Sequence, residues 1–112
     1  MQARSTLRYA FLFCTLLTIS LLTGCASTPD PEVDEIAATL AEAHKSYNNK
    51  EYKKVFQLLF PIAAAGNAKA QYALGYLFYH GLGVEKSERQ AMHWVQRSAA
   101  QGNKKAIQAL SQ

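Results

Sequence analysis

AKAQYALGYLFYHGLGVEKSERQAMHWVQRSAAQG, residues Ala68 to Gly102, reads as two amphipathic helices joined by a glycine-rich turn. Ala70, Leu74, Leu77, Phe78 and Gly81 fall at i, i+4, i+7, i+8 and i+11, so they line one face of a first helix. Ala91, Trp94, Val95 and Ser98 make a second face at i, i+3, i+4 and i+7. Asn67 precedes the first helix as an N-cap. Ser87 and Gln90 have the spacing of a capping box, and Gly102 stands where the second helix should stop.

The flanks repeat parts of this hairpin. Ala63 to Gly75 (AAAGNAKAQYALG) and Ala99 to Ser111 (AAQGNKKAIQALS) share eight identities in thirteen positions at an offset of thirty-six, among them Lys69 with Lys105 and Leu74 with Leu110. The same offset places Val55, Leu58, Leu59 and Ile62 on Ala91, Trp94, Val95 and Ser98. A repeat of this period predicts an all-α solenoid of short helical hairpins, each burying its apolar face against the next.

Ala70-Gln71-Tyr72-Ala73-Leu74-Gly75, Phe78 and Gly81-Leu82-Gly83-Val84 resemble the first half of a Sel1-like, tetratricopeptide-like repeat. Ala91, Trp94, Arg97, Ser98, Ala99, Gln101 and Gly102 continue the resemblance through its second half. Phe78, Ser87 and Ser98 replace the family's usual Tyr, Asp and Ala without changing size or capping role. The resemblance implies a helical protein-interaction scaffold and no enzyme. The glycines and alanines have their own physical reason, since small residues let helix backbones approach closely.

Upstream, Met1 to Arg8 carries Arg4 and Arg8 and no acid, and Tyr9 to Leu22 is an apolar run of fourteen residues interrupted only by Thr and Ser. That is the form of an export signal, and short for a spanning helix, which needs about 20 residues. Leu22-Thr23-Gly24-Cys25 then resembles the lipobox of bacterial lipoproteins. The resemblance implies cleavage after Gly24, so that residues 1–24 are a signal peptide, and a lipidated Cys25. The thiol carries a diacylglyceryl group, and a further acyl chain goes on the new amino terminus. Several acyl chains hold a protein to a bilayer far more firmly than one.

Residues 25–31 are expected to form the acylated cysteine and a flexible tether, and residues 32–112 the helical domain. Ala26 rather than Asp in second place favours, by the same resemblance, the outer membrane facing the periplasm. Cys14 leaves with the signal and Cys25 is acylated, so the mature chain would have no disulfide and depend on packing alone.

A first helix is expected over about Pro31 to Tyr47, entered through Asp30 and Pro31, with Val33, Ile36, Ala37, Leu40, Ala43, His44 and Tyr47 at helical spacing. A second is expected over about Lys50 to Ala65, kinked at Pro61 but unbroken. Lys104 to Ser111 begins another hairpin, and Ala106, Ala109 and Leu110 are expected to cover the preceding helix. Five helices of this size bury only about 60% of their unfolded surface, which predicts marginal stability.

Reactive constellations are missing from this pattern. His44, His80 and His93 are scattered, with no Cys or carboxylate at ligand spacing. The acids cluster at helix beginnings, where the macrodipole favours them, and Gly81-Leu82-Gly83 lacks the strand and closing Lys-Ser/Thr of a phosphate loop. No metal, cofactor or catalytic residue is expected. The formal charge of +4 on 112 residues falls to +2 once Arg4 and Arg8 leave, and Lys50, Lys53, Lys54, Lys104 and Lys105 read as solvated helix faces. An exported chain does not meet nucleic acid.

Tyr72, Tyr76, Tyr79 and His80 follow i, i+4, i+7 and i+8 on the helix that usually lines the concave side of stacked hairpins. They are the candidate partner-binding residues, because tyrosine offers large contact area with a polar tip. The alternative is that the row packs on the second helix. The expected function is a lipid-anchored adaptor holding another envelope protein. The rival is a structural or assembly subunit of a larger envelope complex.

Overall fold

The computed structural model describes residues 31–112, and within them every regular element is helical: α1 (Pro31–Asn48), α2 (Tyr52–Ala64), α3 (Ala68–His80), α4 (Glu88–Ala100) and α5 (Lys104–Leu110). Consecutive helices pack on one another, α1 on α2, α2 on α3, α3 on α4 and α4 on α5. This is the expected all-α hairpin solenoid. Pro31, the last residue expected in the tether, opens α1 instead; the rest of the tether, Asp30 as a cap and the segment before it lie outside the described residues.

Turn chemistry sets the stops. At the end of α1 the Glu51 amide donates to the Ser46 carbonyl (2.9 Å) and the Lys50 amide to Tyr47 (3.0 Å), with Lys50 at φ 61°. This is a Schellman closure, with lysine at the left-handed position that glycine usually takes. The same pair of bonds recurs after α2, from Asn67 to Ile62 and Gly66 to Ala63, and after α4, from Asn103 to Ser98 and Gly102 to Ala99. The repeated Gly-Asn pair therefore has one geometric meaning at both places: glycine ends one helix and asparagine begins the next. Asn67 accepts the Ala70 amide at 3.0 Å, and Asn103 accepts those of Lys105 and Ala106 at 3.0 and 3.3 Å.

Ser87 caps α4 by accepting the Gln90 amide at 3.2 Å. The other half of a capping box would need the Ser87 amide, which instead donates to the Phe78 carbonyl at 2.9 Å. That bond folds the α3–α4 loop back on α3. Gly83, at φ 70°, presses the same loop onto α2: a Cβ there would lie 2.5 Å from the carbonyl carbon of Tyr52 and 2.7 Å from the Lys53 nitrogen. No side chain fits.

The core is Ala43 of α1, Val55, Leu59 and Ala63 of α2, Ala70, Leu74 and Leu77 of α3, and Trp94 of α4. Three expectations are modified. The α1 stripe buries only Ala43 fully, with Val33 62% exposed and Ala37 and His44 also exposed. An eighteen-residue helix overhangs its thirteen-residue neighbour, so its first turns have little to pack on. The α2 and α4 faces are not superposable, since α2 buries Val55, Leu59 and Ala63 whereas α4 buries Ala91, Trp94 and Ser98. In α5 only Ala106 is buried; Ala109 and Leu110 stay exposed, bordering a groove that Ala91, Met92 and Val95 of α4 also line.

Helix α2 begins at Tyr52, two residues later than expected, because Lys50 and Glu51 are consumed in the α1 closure. It runs unbroken through Pro61. Pro61 and Gln57, whose carbonyl loses its donor, are both exposed, so water can serve that carbonyl.

Candidate functional site

What faces outward from α3 follows from how its inner face is fastened. Gly75 lies so close to α4 that a Cβ there would stand 2.5 Å from Val95 Cγ2 and 3.1 Å from the Ala91 carbonyl oxygen. At the start of the helix, buried Gln71 donates from Nε2 to the Ala63 carbonyl of α2 at 3.0 Å and accepts from Gln101 Nε2 at 2.8 Å. Ser98 Oγ of α4 donates to the Ala68 carbonyl at 2.6 Å. These bonds tie α3 to both neighbours, and satisfying each polar group is what allows Gln71 and Ser98 to be buried at 1% and 0% exposure.

With Ala70, Leu74 and Leu77 turned inward, the tyrosine row has to lie outside. Tyr76 is 40% and Tyr79 54% exposed, His80 is exposed, and Tyr72 is half-buried. The Tyr76 ring packs at a 49° tilt against His80 (4.3 Å between centroids), and Tyr79 meets His80 edge-on at 5.0 Å. Lys86 approaches the Tyr79 ring at 6.0 Å. Tyr76 also meets Tyr47 of α1 edge-on at 6.3 Å. Its hydroxyl, by hydrogen bonding, and burial second, hold the Tyr47 phenol above its usual range. The Tyr47 hydroxyl can donate as well as accept.

Two open grooves flank this row. One, of about 800 Å³, runs between α1, α3 and the α4–α5 turn, with His44, Tyr47, Lys69, Tyr72, Tyr76 and Lys105 among its lining. The other, of about 520 Å³, lies between α3, α4 and α5, bordered by Gly75, Tyr79, Glu88, Met92 and Leu110. Tyr72 and Tyr76 line both, so they form the ridge between them. The open walls and exposed aromatics suit contact with a macromolecular surface. Among the described residues no three His, Cys, Asp or Glu side chains converge as a metal site, and no helix is long and apolar enough to cross a membrane.

Cys25, Leu22, Thr23 and Gly24 lie outside the described residues. Tyr72, Tyr76, Tyr79 and His80 share one face, as their spacing required. Tyr47 and His44 fall at the helical spacing of the α1 stripe; Tyr47 packs against the core, His44 is exposed, and both line the first groove beside Tyr72 and Tyr76. Lys69 joins them. Its repetition at Lys105 was the only sequence signal that its position matters.

A family model for the Sel1 repeat matches residues 68–103. The chain is similar to a chitin synthase regulator of Saccharomyces cerevisiae, 36% identical over 61 residues, which is 54% of this chain and 9% of the relative. It is also similar to a Sel1-like repeat-containing protein of Acanthamoeba polyphaga mimivirus, 40% identical over 42 residues, 38% of this chain and 7% of the relative. The chain thus spans less than a tenth of either relative's length. No solved structure matches. Sel1-like repeats are generally non-catalytic scaffolds that bind other proteins. With its matching hairpin, its repeated Gly-Asn turns and these relatives, the chain contains a Sel1 repeat over residues 68–103.

Proposed function

We propose that the chain is an exported lipoprotein, cut after Gly24 and acylated on Cys25, that holds another envelope protein against the outer membrane from its periplasmic side. Residues 25–31 serve as the tether and residues 32–112 as the interaction domain. The anchor raises local concentration, and the helical surface supplies the contact. The observation that carries the binding role is the outward α3 row, with Tyr76 substantially exposed between two grooves and Tyr79 substantially exposed beside the second. The anchor rests on the lipobox-like Leu22-Thr23-Gly24-Cys25 behind a basic and then apolar segment.

Each part has its own test. Cys25→Ser is expected to move the protein from the membrane fraction to the soluble fraction and remove the acyl mass; retention in the membrane would sink the anchor. Replacing Tyr76 and Tyr79 by alanine is expected to abolish crosslinking to the partner in cells with the melting temperature unchanged. Crosslinking that persists while the melting temperature falls would mean the row is packing.

A second reading, a structural or assembly subunit, is favoured by Ile107 and Leu110, which are 49% and 40% exposed although their repeat equivalents Gln71 and Leu74 are buried. A neighbour's helix would cover them. Size-exclusion of the acyl-free protein separates the two, since an adaptor stays a folded monomer and an unfinished subunit aggregates.

A further inference from the structure

The charge of the first groove narrows the kind of partner. Lys69 of α3 and Lys104 and Lys105 of α5 line it together with His44 of α1, and no carboxylate does. On the far side of the Tyr72 and Tyr76 ridge the sign changes, with Glu88 in the lining and no lysine or arginine. The three lysines form no ion pair among the described residues, whereas Lys54, away from the groove, pairs with Glu42 at 2.6 Å and Glu51 at 3.9 Å.

Helix stability does not account for their placement. All three stand in the first turns of α3 and α5, which contain no acid, and a cation there opposes the macrodipole. By contrast α1 begins with Glu32 and Asp34 and α4 with Glu88, while α2, which also begins with lysines, Lys53 and Lys54, has Glu51 at its N-cap and pairs Lys54 with Glu42 and Glu51. Lys69 and Lys105 are also repeat equivalents, so the unfavourable charge recurs one hairpin further along. A locally costly choice made twice in one groove is the mark of a function served there.

We propose that this groove takes an acidic, apolar-bearing segment of the partner protein. Its carboxylates pair with the lysines, and its apolar side chains rest on Tyr72 and Tyr76. Charge complementarity sets which segment is chosen and how fast it is found, and the aromatic wall holds it. This deepens the adaptor reading and rests on it.

The test uses the full-length protein in detergent with fluorescein-labelled peptides of alternating Glu and Leu, Gln and Leu, or Lys and Leu, followed by fluorescence anisotropy. The Glu/Leu peptide is expected to bind, more weakly as salt rises, and the Lys/Leu peptide not to bind. Lys69→Glu with Lys105→Glu is expected to weaken binding at least about tenfold while leaving the melting temperature unchanged or raised, because acids suit those helix starts. A merely structural role for the lysines would not give that combination.

Equal binding of the Glu/Leu and Gln/Leu peptides, undiminished affinity in the charge-reversed protein, or absence of peptide binding overturns the proposal. So does a preference for phosphatidylglycerol vesicles over the peptide, or self-association that the charge reversal abolishes, which would make a second copy's acidic α1 the occupant. If the Tyr76→Ala, Tyr79→Ala protein still loses its crosslink in cells, the adaptor reading stands and only the acidic partner falls.

Discussion

Gly75 and Val95 are separated by less than the space of one methyl group. A Cβ on Gly75 would lie 2.5 Å from Val95 Cγ2, and the Ala91 carbonyl, 3.1 Å away, blocks any retreat. Val95 is β-branched and cannot easily turn aside. Alanine at 75 would gain up to about 1 kcal/mol in helix propensity, against about 1–3 kcal/mol for overpacking. Gly75→Ala is therefore expected to lower the melting temperature by several degrees. Val95→Ala in the same background should recover part of the loss, and a double-mutant cycle by thermal denaturation measures the coupling.

Lys50 makes the opposite case. It holds φ 61° to close α1, a conformation that costs an L-residue about 1 kcal/mol and glycine almost nothing. Its side chain enters no ion pair among the described residues. Lys50→Gly is expected to stabilise the protein by a few tenths to about 1 kcal/mol, the larger entropy loss of glycine taking back part of the gain. Urea denaturation decides it, and a lower midpoint would show that the lysine contributes something more than a turn.

Gln71 and Gln101 share one hydrogen bond but should not share one cost. Gln71 is buried and joins Ala63 to Gln101, whereas Gln101 is exposed and can turn to water. Gln71→Met is expected to destabilise by about 1–3 kcal/mol, and Gln101→Ala by less than about 1 kcal/mol. Chemical denaturation of both single variants and the double variant tests this. Equal losses would mean that the bond itself, and not burial of its acceptor, sets the cost.

The Glu42–Lys54 pair ties α1 to α2 at 2.6 Å, and its effect is a matter of pH. Hydrogen bonding and then the charge of Lys54 hold the Glu42 carboxyl below its ordinary range, while hydrogen bonding to Glu42 is the main cause raising Lys54. The Glu42 contribution is complete above the unfolded carboxylate pKa and lost as pH falls through the folded one. The Lys54 contribution is complete below its unfolded pKa and lost as pH rises through the folded one. Both side chains are roughly half exposed, so salt should weaken the pair and the stability gained should be small. Carboxyl NMR is expected to show Glu42 returning to its ordinary range in Lys54→Met; no movement would refute the coupling.

Local chemistry was readable wherever it is carried by neighbours in sequence. Asn67, Ser87 and Gly102 announce helix ends because caps and left-handed closures involve residues within one turn. The tyrosine row was readable because helical geometry alone puts Tyr72, Tyr76 and Tyr79 on one side. Tyr47 was readable as a residue that packs against the core, and only the packing of α1 shows that it also reaches a groove edge. The unbalanced lysines were visible as residues but not as a cluster, because α3 and α5 meet at that groove only once the solenoid is wound.

The amino-acid order by itself determined the helical period, the turn positions and the repetition of one hairpin, since each depends on residues a few positions apart. Tertiary structure alone decided which side of each helix stays open, which polar groups cross between helices, and which charges are left without partners. These depend on contacts between helices, as the bond from Gln101 to Gln71 does across thirty positions of sequence.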